Sequence, residues 1–88
     1  ITTIGINHLG LTVRNLDQTV EFFTDALGWT VAGGNPNYPY VAVTDGHARL
    51  TLWQVKNDQP VPFDRHANIG LHHVAIGVES EDALTALS

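Results

Sequence analysis

His8 and His73 stand in nearly identical settings. Residues 5–13 read GINHLGLTV and residues 70–78 read GLHHVAIGV, each placing a histidine two positions after an aliphatic residue in a short strand-like run. An imidazole in such a run costs desolvation unless its ring nitrogens find partners. One such histidine is ordinarily a hydrogen-bonded core residue. A matched pair points to a divalent transition metal, because neutral imidazole is a common metal ligand and a strand holds it rigidly.

The remaining histidines carry less weight. In a regular strand His72 alternates to the face opposite His73, so the two are not expected at one site. His47 follows the Asp45-Gly46 turn and is expected to be solvated; His66 sits beside Asp64 and Arg65 in a proline-bearing stretch, as part of a loop polar cluster or, as the weaker alternative, of a substrate-contacting lid. Carboxylates are the natural third ligand, yet no Asp or Glu falls on a predicted strand. Asp17, Glu21 and Asp25 lie on a helix, Asp45 in a turn, Asp58 and Asp64 in a linker, and Glu79, Glu81 and Asp82 around a helix start. The third ligand is expected beyond Ser88. Trp29, Tyr38, Tyr40, Trp53 and Phe63 are available to line an apolar pocket, although strand aromatics are more often plain core.

The elements that position the histidines follow from the pattern. Ile4–Val13 alternates as a strand, with His8, Gly10 and Thr12 on one face and Leu9, Leu11 and Val13 on the other. Asn15 is a helix N-cap with Gln18 in the capping-box position. Leu16, Val20, Phe23 and Leu27 recur at helical spacing, and Gly28 stands where a glycine ends the helix. Strands are predicted at 29–32, 40–44 and 48–55, the last two separated by the Asp45-Gly46 hairpin signal. Residues 33–39 are dense in glycine, asparagine and proline and predict a loop. Residues 56–69, with Pro60 and Pro62, read as a linker; 71–78 is a strand, and Ser80 caps a second helix.

Shifting the chain by 65 positions lays His8 on His73, Leu9 on Val74, Leu11 on Ile76, Val13 on Val78 and the cap Asn15 on Ser80. This is an internal repeat of strand, cap and helix. It divides the chain into a first module at 1–55, a linker at 56–69 and the start of a second module at 70–88. The second copy stops inside its helix, so a longer protein is expected. A local two-fold axis would bring His8 and His73 together.

Composition limits the alternatives. Eighty-eight residues make one small domain at most, burying about 60% of the unfolded surface at this size. Four basic residues against nine acidic ones give a net charge of −5, which offers no basic patch for nucleic acid or an anionic membrane. With no cysteine, any metal must be held by nitrogen and oxygen. No apolar run reaches membrane-spanning length, and a cytoplasmic location is expected. Gly33-Gly34 runs into Asn35-Pro36 rather than a helix, so it is no phosphate loop; Ser80 and Ser88 are the only serines, and neither suits a nucleophile.

Taken together, INHLGLTVRNLDQTVEFFTDALGW, the Asp45-Gly46 hairpin and GLHHVAIGVES resemble the vicinal oxygen chelate superfamily, which includes glyoxalase I, extradiol dioxygenases, fosfomycin-resistance transferases and bleomycin-binding proteins. The resemblance implies an α+β fold of paired βαβββ modules, truncated here in the second. It implies His8 and His73 as metal ligands, with Fe, Ni, Zn or Mn as the metal. Glyoxalase I proteins usually add an acid on the fourth strand of the first module, where this chain has Thr51. Two histidines with a carboxylate from the second module match the dioxygenase-like arrangement instead. The resemblance implies a small oxygenated substrate chelated on the metal by a glyoxalase-like lyase or extradiol-type dioxygenase, and a homodimer. The alternative is a metal-free sequestering module of the bleomycin-resistance type, whose members tend to lack these strand histidines.

Overall fold

The structure, a computed structural model, describes residues 1–87. The chain forms two compact units, one ending at Asp58 and one beginning at Gln59.

In the first unit, β1 (Leu9–Val13) leads into α1 (Leu16–Glu21), which continues as a π-helical turn at Phe22–Ala26. Three strands follow: β2 (Thr30–Asn35), β3 (Tyr40–Thr44) and β4 (Arg49–Gln54). The sheet order is β1-β4-β3-β2, with β1 and β4 parallel and the other pairs antiparallel. Parallel pairing of β1 with β4 requires the chain to cross over in between, and the helix and the β2–β3 hairpin supply that crossing.

Helix and sheet meet on the face the helical spacing marks. Leu16 and Phe23 are buried with Trp29, Val43, Leu50 and Leu52, and Leu9, Leu11, Val13, Val20, Leu27 and Val41 pack around them. The Asn15 side chain accepts the Gln18 N–H at 3.0 Å, satisfying one of the helix's otherwise orphaned donors. Within the helix, Thr24 turns its hydroxyl back onto the Val20 carbonyl at 3.0 Å, a side-chain bond that competes with the regular ladder. The helix ends at Gly28, whose φ of 72° is the left-handed geometry glycine tolerates. Past it, the Trp29 N–H donates to the Phe23 carbonyl at 2.9 Å, and the Phe23 and Trp29 rings meet edge-on at 5.0 Å.

Four expectations need correction. The first strand begins at Leu9 rather than Ile4, because the ladder to β4 opens with Leu9 opposite Leu50. His8 therefore stands one residue before the strand. Residues 33–35, read as loop, belong to β2: a bulge precedes Gly33, and Gly34 lies so close to β3 that an added Cβ would sit 2.9 Å from the Tyr40 carbonyl oxygen. The β3–β4 connection is four residues long, because Asp45 Oδ1 accepts the N–H groups of His47 (2.8 Å) and Ala48 (2.7 Å) and holds Ala48 out of the ladder. Finally, 71–78 is not a strand. β1 is held in its ladder by β4, whereas nothing among the described residues pairs with 71–78.

The second unit keeps the local half of the repeat. In α2 (Glu81–Ala86), Ser80 Oγ accepts the Ala83 N–H at 3.0 Å, which is the Asn15–Gln18 bond shifted by 65 residues. Earlier in this unit the 64–68 turn closes on itself, with the His66 N–H donating to Asp64 Oδ1 at 2.9 Å and the Asp64 N–H to Asn68 Oδ1 at 2.8 Å. No helix among the described residues is long and apolar enough to cross a membrane.

Candidate functional site

With Leu50, Leu52, Val41 and Val43 turned toward the helix, strand alternation turns Thr51, Trp53, Tyr40 and Ala42 to the sheet's other face. Asn7, His8, Tyr40, Arg49, Thr51 and Trp53 line an open cavity of about 440 Å³ there. Its floor is aromatic. The Tyr40 and Trp53 rings, opposite each other across β3 and β4, stack with centroids 4.6 Å apart and planes 26° from parallel.

The indole lies back along β4. Its Nε1–H donates to Thr51 Oγ1 at 3.3 Å, and the Thr51 hydroxyl donates to the Leu9 carbonyl at 3.5 Å. Gly10, opposite Thr51 in the ladder, makes this possible, since a Cβ there would lie 3.2 Å from Thr51 Oγ1 and 3.7 Å from the indole nitrogen. Thr51 is thus engaged by its neighbours.

Arg49 takes a different route. Its Nη2 lies 3.8 Å from the position a Gly33 Cβ would occupy. Because β3 lies between β4 and β2, the side chain crosses β3, where Ala42 contributes only a buried methyl. Arg49 is the only formally charged residue in the lining.

His8 opens the cavity at the edge of β1. Its Nδ1 is 2.8 Å from Asn7 Oδ1. An amide oxygen only accepts, so Nδ1 is the donor in this contact, and in the neutral imidazole Nε2 is the nitrogen with the lone pair. That tautomer is the one a metal ligand needs, with the second nitrogen oriented by a hydrogen bond.

His73 belongs to the second unit. Without a ladder to enforce alternation, the His72 and His73 rings come together, centroids 5.0 Å apart and Nδ1 to Nδ1 2.8 Å. One of these nitrogens must donate and the other accept, so the pair shares one proton at this contact. With His73 as donor, its Nε2 is free in the same way as that of His8. The expectation that His72 points away from His73 is overturned. Among the described residues no group of three or more His, Cys, Asp or Glu converges as a metal site. Each histidine, taken by itself in its own unit, offers one ring nitrogen of the kind that ligates a divalent metal.

The other aromatics separate cleanly. Trp29 is core, Tyr38 is exposed in the 36–39 turn, and Phe63 packs near Gly70 in the second unit. Sequence reasoning did not single out Asn7 or Gln54. Gln54 accepts the Leu16 N–H (2.9 Å) and donates to the Arg14 carbonyl (2.8 Å), which locks the end of β4 to the start of α1.

A βαβββ unit that buries one sheet face under its helix and opens the other as a histidine-edged cavity defines the class of protein. Residues 5–88 match the Glyoxalase/Bleomycin resistance protein/Dioxygenase superfamily, and the chain belongs to that family. It is similar to a glyoxylase/bleomycin resistance protein/dioxygenase domain from Frankia sp. EAN1pec, at 27% identity and a TM-score of 0.81 over 98% of this chain. It is also similar to a possible glyoxalase from Bacillus cereus, at 27% identity, with a TM-score of 0.73 over 97% of this chain and 69% of that one. An integron cassette protein from V. cholerae shares the fold, at 21% identity and a TM-score of 0.68 over 99% of this chain and 67% of that one. The chain spans only 65% of the length of the Frankia domain. No curated protein matches it significantly.

Proposed function

We propose that this chain is part of a metal-dependent enzyme of the glyoxalase/dioxygenase type, in which His8 and His73 hold one divalent metal (Fe, Ni, Zn or Mn). The third ligand in this reading is a carboxylate from outside residues 1–88. The observation that carries it is the Asn7–His8 contact, which occupies Nδ1 of a cavity-lining histidine and makes Nε2 the ligating nitrogen of its neutral form. When bound, such a metal supplies Lewis acidity toward the oxygens of a small chelating substrate.

The chain's own residues do the rest. Asn7 fixes the His8 ring, Tyr40 and Trp53 give the substrate a flat apolar surface that displaces water, and Thr51 holds the indole in place. The reading also proposes modules at 1–55 and from 70 onward, joined by 56–69, and a homodimer.

A second reading, a metal-free binding module, is favoured by the same aromatic floor and by the engagement of Thr51 with Trp53. Elemental analysis of protein purified without chelator separates the two. The enzyme reading expects about one metal per two-module site, lost in the His8→Ala, His73→Ala double variant. Equal, low metal in both proteins would establish the binding module.

A further inference from the structure

The geometry points to a planar carboxylate as the ligand of the open sheet face, its ring against the Tyr40–Trp53 stack and its carboxylate on Arg49. This rests on reading that face as the ligand site, and it adds the chemical class.

Three observations converge. First, the chain carries nine acidic residues against four basic ones, yet no Asp or Glu lines this cavity and an arginine does. The local charge is opposite to that of the whole, which selects anions. Second, the guanidinium lies over the sheet, with no acid beside it in the cavity lining. It reaches across β3 toward Gly33, over a path kept low by Ala42 and by the missing Gly33 side chain. A guanidinium presents two parallel N–H donors that match the two oxygens of a carboxylate. Third, the two lining aromatics are stacked with each other on the same face, where Gly10 leaves the indole room to lie back. An aromatic face favours a second flat ring in offset or edge contact over a puckered one. The cavity, at about 440 Å³, is of the size that takes small organic ligands.

Equilibrium dialysis of the full-length protein, stripped of metal with EDTA, against benzoate, benzamide and cyclohexanecarboxylate tests both halves of the inference. Benzamide is expected to bind roughly tenfold or more weakly than benzoate, since the charge-assisted pair is lost. Cyclohexanecarboxylate is expected to bind about 2- to 10-fold more weakly, since the ring contact is lost. Arg49 is exposed and outside the core, so its variants fold. Arg49→Gln is expected to bring benzoate down to the benzamide level, and Arg49→Lys to restore part of the difference. Trp53→Leu should remove the preference for the flat ring while keeping that for the anion. The inference is overturned if the stripped protein binds none of the three, if it does not distinguish them, or if Arg49→Gln leaves the benzoate preference intact. A preference seen only after metal is restored, and surviving Arg49→Gln, would overturn it too while supporting the metal reading. Failure of the metal reading shows separately, as absence of metal from the untreated protein.

Discussion

Replacing Gln54 with alanine should cost far more than its half-exposed position suggests. Its Oε1 accepts the Leu16 N–H at 2.9 Å, and its Nε2 donates to the carbonyls of Arg14 (2.8 Å) and Val55 (3.2 Å). Leu16 is the first residue of α1 and is itself buried, so its N–H has little access to water once Gln54 is gone. Leaving such a donor unpaired costs roughly 1–3 kcal/mol. The Arg14 carbonyl is exposed and can turn to water, which adds less. A loss of about 2 kcal/mol follows, and with a urea dependence of about 1–2 kcal/mol per molar the unfolding midpoint should fall by about 1–2 M. Gln54→Glu separates the bond from the side-chain bulk. It keeps an acceptor for the Leu16 N–H at a helix N-terminus, where negative charge is favoured, and should cost under about 1 kcal/mol. Urea unfolding followed by circular dichroism gives both values. An alanine variant within about 0.5 kcal/mol of the parent, or a glutamate variant as damaged as the alanine one, would refute the reasoning.

Two further outcomes follow from local geometry. Gly34→Ala places a Cβ 2.9 Å from the Tyr40 carbonyl oxygen, a backbone atom, so β2 must shift; a loss of about 1–3 kcal/mol is expected in the same assay, with weaker benzoate binding as Tyr40 moves. Asp45 is held below its ordinary value of 3.8 by the N–H groups of Ala48 and then His47. A depressed folded pKa means its contribution is present above about pH 3.8 and lost as pH falls through the lower folded value. The stability difference between the parent and Asp45→Ala should therefore be constant from pH 7 to 5 and shrink on further acidification; a difference independent of pH would contradict it.

What the sequence disclosed was whatever local chemistry decides. The spacing of Leu16, Val20, Phe23 and Leu27, the Asn15 and Ser80 caps and the stop at Gly28 depend on residues within a turn or two, and they stand as read. Errors arose where distant strands decide. Gly33 and Gly34 look like loop residues until β3 approaches closely enough to need them. Residues 71–78 have the alternation of a strand, yet a strand requires a partner. At the site, His8 was visible as a residue type. The Tyr40–Trp53 stack and the indole bond to Thr51 were not, because they follow from the β3–β4 register rather than from spacing along the chain. Gln54 was hidden for the same reason: its bond to Leu16 spans 38 positions.

The joint use of His8 and His73 by one metal is tested most directly by a double-mutant cycle in Zn(II) affinity. The full-length parent, His8→Ala, His73→Ala and the double variant would be titrated against a competing chromophoric chelator, with circular dichroism confirming that each is folded. Ligands of one ion act as a unit, so each single loss should weaken binding by at least 100-fold, roughly 2.7 kcal/mol, and the double variant should be little worse than either single one. Additive losses, or a single variant that binds Zn(II) as the parent does, would show that the two histidines do not share a metal.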